Sequence, residues 1–98
     1  MGDDELSMLR KKIDKTDEEL MRLIKKRLAT ADKIAENKKK TGMPVLDRQR
    51  EQEVLERIKA IAGEEGVDED AAARIFREII TQTRNKQLKK PGIRETGK

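Results

Sequence analysis

The chain has no cysteine, no histidine, no tryptophan and no tyrosine, and its single aromatic residue is Phe76. Without cysteine there are no disulfides and no thiolate-held metals. Without histidine as well, only Asp and Glu remain as metal ligands, a set ill suited to a transition metal. No metal and no cofactor is therefore expected. The near absence of aromatics removes the usual large core fillers. It also removes the platforms on which nucleic-acid bases stack. No apolar run reaches the roughly eighteen residues of a membrane span, and no signal-peptide hydrophobic stretch is present. A cytoplasmic, soluble chain with no membrane contact is expected.

What is present is charge. Of 98 residues, 45% are charged and 34% hydrophobic, with a formal net charge of +4. Length limits the chain to one domain. A monomer of this composition has a thin core, so oligomerisation is expected. The positive charge is concentrated in residues 8–50, where fourteen Lys and Arg face seven Asp and Glu. Most of those cations read as a solvated helix surface.

Three helices are legible, with no strand pattern and no internal repeat, so the fold class is all-α. The first runs from about Asp4 to Lys40 without an internal Gly or Pro, and Gly42 is placed to cap it, with Pro44 beyond. The second starts at the N-cap Asp47 and is expected to bury Val54, Leu55, Ile58, Ile61 and Ala62, with Gly63 and Gly66 ending it. The third starts at Asp68 and is expected to bury Ala72, Ile75, Phe76, Ile79 and Ile80. The domain is assigned to residues 1–90 and a disordered tail to 91–98.

The first helix places a cation on its apolar seam. Leu6, Leu9, Ile13, Leu20, Leu23 and Ile34 hold one position of the helical repeat, and Arg27 falls on it. Lys38 follows eleven residues later, about three turns, and so points the same way. A cation on a core face is costly unless an anion meets it. Two aligned cations suit a small, multiply charged anion. A helix of some thirty-five residues also spans about 50 Å, whereas a compact domain of this size is roughly 35 Å across. Part of the seam is therefore expected to meet a second copy. Thr16, Arg27 and Thr30 interrupt it too often for a long coiled coil.

Three further places break the apolar faces. The segment Met43–Glu51 reads as a short rigid loop feeding a capped helix. Glu51 there is favoured by the helix dipole, and Arg50 is not, so Arg50 is expected to meet an anion. On the third helix the stripe continues to Thr83 and Gln87, uncharged hydrogen-bonding groups where Leu or Ile would pack; a frayed, exposed helix end is the alternative. Arg10 lies about 100° round the first helix from Arg27. It reaches the same anion only across an intertwined dimer.

The segments LRKKID at Leu9–Asp14, LIKKR at Leu23–Arg27, Lys38, PVLDRQRE at Pro44–Glu51 and the spacing of Ile79, Ile80, Thr83 and Gln87 together resemble the all-helical chorismate mutases over about residues 6–88. The resemblance implies an intertwined homodimer of three-helix subunits, each site completed by an arginine of the partner. It implies the rearrangement of chorismate to prephenate in aromatic amino-acid biosynthesis, by a monofunctional enzyme. Arg10 of the partner and Arg27 would clamp the two carboxylates. Lys38 would bond a carboxylate and the ether oxygen, and Gln87 would donate to that oxygen from the opposite side. Glu51 and the backbone at Asp47 would hold the ring hydroxyl, and Arg50 and Thr83 would complete the polar wall. Isochorismate-pyruvate lyase shares the fold and is the enzymatic alternative. A non-catalytic basic module is the other, though cations on an apolar seam and missing aromatics disfavour nucleic acid. A second shikimate-pathway enzyme as partner is compatible with the sequence.

Overall fold

A computed structural model describes residues 2–88. They form three helices and no strand: α1 (Gly2–Thr41), α2 (Arg48–Glu65) and α3 (Glu69–Leu88). The fold class is all-α, as expected. The tail assigned to 91–98 lies outside the described residues.

Each boundary has a local chemical cause. At the end of α1, Gly42 takes φ +76°. Its N–H donates to the Lys39 carbonyl at 3.3 Å, and the Met43 N–H donates to that of Lys38 at 2.8 Å. That pair of bonds is a Schellman motif, which satisfies carbonyls the helix cannot. The motif recurs at Gly66, where Gly66 bonds to Gly63 and Val67 to Ala62, at 3.4 and 2.8 Å. Two aspartates begin the later helices. Asp47 Oδ1 accepts from the Arg50 N–H at 3.0 Å, and Asp68 Oδ2 from that of Ala71 at 3.0 Å. One expectation is corrected: Gly63 does not end α2, which continues to Glu65 before Gly66 turns left-handed. Of these two glycines, Gly66 has the positive φ that stops a helix in this way.

The described residues divide into two compact units, one ending at Thr30 and the other beginning at Ala31. In the first, Leu9, Ile13, Leu20 and Leu23 are each at least 50% exposed. The threonines on this stretch satisfy themselves. Thr16 donates to the Lys12 carbonyl and Thr30 to that of Lys26, both at 3.0 Å. A hydroxyl bonded back to its own helix can sit on an apolar face without an unmet donor, so these two residues interrupt the seam less than their polarity suggests.

In the second unit α2 packs against α3. The core is Ala35, Val54, Ala62, Ala72, Ala73 and Ile80. Full burial of a Val or Ile contributes about 1.5–3 kcal/mol, so two branched side chains among four alanines make a thin core. Ile75 and Ile61, expected inside, are 60% and 39% exposed, while Ala73 is buried. A single neighbouring helix covers a narrower arc than the stripe 72, 75, 76, 79 and 80 occupies. Leu55, Ile58, Phe76 and Ile79 are half-buried at its margin.

Candidate active site

Lys38 stands in the last turn of α1, its backbone carbonyl held by the Schellman motif. Its side chain is only 19% exposed and folds over the following loop. Nζ donates to the Val45 carbonyl at 3.4 Å and lies 3.9 Å from Asp47 Oδ2. Asp47 therefore caps α2 with one oxygen and faces the ammonium with the other. Both contacts to Nζ are long, and an ammonium has three donors, so Lys38 is positioned without being saturated. Arg50, expected to meet an anion, pairs with Glu53 at 3.7 Å, with both side chains more than half exposed. A surface pair of that kind contributes little.

Glu51, in the first turn of α2, meets a partner the sequence reading missed. Arg84 forks it: Nη2 donates to Oε1 at 2.7 Å and Nε to Oε2 at 3.3 Å. The hydrogen bond and the charge of Glu51 push the guanidinium above its ordinary range, slight burial opposing them. Arg84 stays charged at any working pH. A signal for it existed. Arg84 follows the buried Ile80 by four residues, hence on the same face, and a cation on an apolar face was the feature that singled out Arg27.

The end of α3 is docked. Thr83 and Gln87 are half-buried, so the alternative of an exposed helix end does not hold. Thr83 donates to the Ile79 carbonyl at 2.9 Å. Gln87 Nε2 donates to the Ala31 carbonyl at 2.8 Å, and Lys86 pairs with Asp32 at 3.1 Å. Ala31 precedes Lys38 by seven residues, almost two turns, so Gln87 is tied to the face of α1 that carries Lys38. Only an amide NH₂ can face a carbonyl, which fixes the orientation and leaves a second N–H. Within the second unit, bonds thus tie Lys38 to the loop and to Asp47, Glu51 of α2 to Arg84 of α3, and Gln87 of α3 to the last turns of α1, while Thr83 bonds within its own helix. Arg10 and Arg27 belong to the first unit, where Arg10 is exposed and Arg27 half-buried.

Residues 9–88 match the family described as chorismate mutase type II. The chain belongs to that family. Its members are isomerases that rearrange chorismate to prephenate. A chorismate mutase of Methanocaldococcus jannaschii is 37% identical over 93 residues, covering 95% of this chain and 92% of the relative. The bifunctional chorismate mutase/prephenate dehydratase of Aquifex aeolicus is 41% identical over 83 residues, covering 80% of this chain but 22% of that protein. No solved structure matches significantly. Both relatives carry the mutase in their names, which favours it over the lyase.

The two glycine caps provide an internal control in this family member. A Cβ at Gly42 or Gly66 would meet nothing within 4 Å, so alanine at either costs only backbone strain, about 1 kcal/mol. Urea denaturation should report a similar loss for Gly42→Ala and Gly66→Ala. Mutase activity should fall in Gly42→Ala alone, because that turn sets the loop that Lys38 and Asp47 face. Equal activity in both variants would contradict a functional role for this loop.

Proposed function

We propose that this chain performs the chorismate rearrangement as a cytoplasmic homodimer, with Lys38 and Gln87 gripping the breaking ether oxygen from two sides. The observation that carries the reading is the tie between Gln87 and Ala31 at 2.8 Å, two turns from the half-buried Lys38. It ties a neutral donor of α3 to the face of α1 that carries the cation.

The reaction is an intramolecular Claisen rearrangement. One carbon–oxygen bond breaks while one carbon–carbon bond forms, and no nucleophile, metal or proton transfer is required. The enzyme's task is to fold a flexible dianion so that its termini meet, and to stabilise charge growing on the ether oxygen. Arg27 and Arg10 of the partner clamp the two carboxylates, for which guanidinium forks suit better than ammonium groups. Glu51 and the backbone at Asp47 take the ring hydroxyl. Arg50 and Thr83 line the same wall, Arg50 leaving its weak surface pair to do so. Three features support a dimer: the exposed apolar stripe from Leu9 to Leu23, the uncovered Ile61 and Ile75, and a core without a fully buried large side chain among the described residues. Residue Arg10 is too far round α1 from Arg27 to act within one chain.

The test is a pH–rate profile. The native enzyme should have a nearly flat kcat between about pH 5 and 9, where neither Arg nor an unperturbed Lys titrates. Gln87→Glu can donate to the ether oxygen, or to the Ala31 carbonyl, only when protonated. It should be active at acid pH and lose activity as pH rises through the new carboxyl's pKa. A nearby Lys38 lowers that pKa, while burial and the Ala31 carbonyl raise it. A flat profile for Gln87→Glu under saturating chorismate would mean that Gln87 does not touch the reacting oxygen.

A further inference from the structure

Glu51 and Arg84 are separated by 33 residues, yet they make a bidentate carboxylate–guanidinium contact between α2 and α3. We propose that Arg84 is a positioning residue for the rearrangement: it fixes the direction of the Glu51 carboxylate and cancels its charge beside a dianionic substrate. The proposal rests on the assignment of Glu51 to the ring hydroxyl.

Three observations carry it. The first is orientation. A glutamate side chain has three rotatable bonds, and Glu51 sits in an exposed-edged first turn at 25% side-chain exposure. A single donor would leave it free to swing, whereas a planar fork holds both oxygens at once. The second is capacity. An ionised carboxylate offers about four acceptor directions, and the fork occupies two. The remainder can receive a hydroxyl, so the pair is compatible with substrate contact. The third is charge. An unpaired Glu51 would face a substrate carrying two negative charges in a half-buried setting, where screening is weaker than in water. Arg84 removes that repulsion without itself replacing Arg27 or Arg10. Its place on α3 fits the role. It lies between Thr83 and Gln87, so one helix end supplies both a donor and the counter-ion of the hydroxyl acceptor.

The experiment is a double-mutant cycle. Arg84→Met, Glu51→Gln, the double variant and Arg84→Lys are assayed for kcat and KM with chorismate, and for thermal unfolding. Arg84→Met should lose on the order of 10-fold in kcat/KM, through kcat as the carboxylate loses its fork and through KM as its charge goes uncancelled, the size of one lost charge-assisted contact. Adding Arg84→Met to Glu51→Gln should cost less than about threefold more, because the guanidinium then has no carboxylate to hold. Arg84→Lys should recover KM by restoring charge, but leave kcat low because an ammonium is no fork. If Arg84→Met does not fold, that split in Arg84→Lys is decisive alone. A lower unfolding temperature with unchanged kcat and KM in Arg84→Met would reduce Arg84 to a clasp between α2 and α3 and overturn the proposal. Multiplying losses in the cycle would also overturn it, since Arg84 would then act on substrate independently. An unaltered Glu51→Gln would instead sink the underlying assignment of Glu51. An impaired Glu51→Gln beside a normal Arg84→Met would sink only the role of Arg84.

Discussion

Lys38→Ala is expected to lower kcat by on the order of 10²-fold or more, the range of a lost oxyanion donor. The loss should fall on kcat, because the ammonium is proposed to meet charge that grows only in the transition state. Stability should hardly change. The partner carboxylate of Lys38, Asp47, is 48% exposed and 3.9 Å away, and pairs so exposed contribute little. The capping bond of Asp47 to the Arg50 N–H does not involve Lys38 and survives its removal. Activity and stability therefore separate cleanly at this residue. Lys38→Arg should not rescue fully, because a planar fork cannot take the place of a compact ammonium folded over Val45. A nearly normal kcat in Lys38→Ala would exclude the role.

Two inactive variants should restore each other. Arg10→Ala and Arg27→Ala each remove one of the proposed carboxylate clamps and should each be depressed by on the order of 10²-fold. If a site takes Arg27 from one chain and Arg10 from the other, a mixed dimer has one doubly damaged site and one intact site. Co-refolding equal amounts yields about half heterodimer by random pairing, and thus roughly a quarter of the native sites. Activity should rise to that level. No recovery, with the heterodimer confirmed by differently tagged chains, would contradict a shared site. A folded monomer at micromolar concentration in sedimentation equilibrium would contradict the dimer itself. The exposure of Leu9, Ile13, Leu20 and Leu23 makes such a monomer unfavourable, because a contiguous apolar stripe of this kind marks an interaction surface.

The three helices and most of their ends were determined by the sequence alone. Asp47, Asp68, Gly42 and Gly66 act within three to five residues of where they stand. Caps of that kind are local chemistry, so spacing suffices to locate them. The family was legible for a related reason. Arg27, Lys38, Thr83 and Gln87 interrupt helical stripes at intervals that can be counted along the chain. The sequence also marked Lys38, Glu51, Thr83 and Gln87 as residues out of place on their faces.

Tertiary structure alone decided which neighbours Glu51 and Gln87 meet. Glu51 pairs with Arg84, and Gln87 reaches Ala31 across 56 residues. Helical periodicity gives a side chain a direction around its own axis, but not the rotation of one helix against another. The same limit explains why Ile75 is exposed and Ala73 buried. Both lie near the stripe, and only the packing of α3 on α2 chooses between them. Gly63 shows the converse. Its identity suggests a helix end, yet the backbone continues through it because the left-handed turn is taken at Gly66. A glycine permits a positive φ without requiring one, and the surrounding hydrogen bonds determine where it is used.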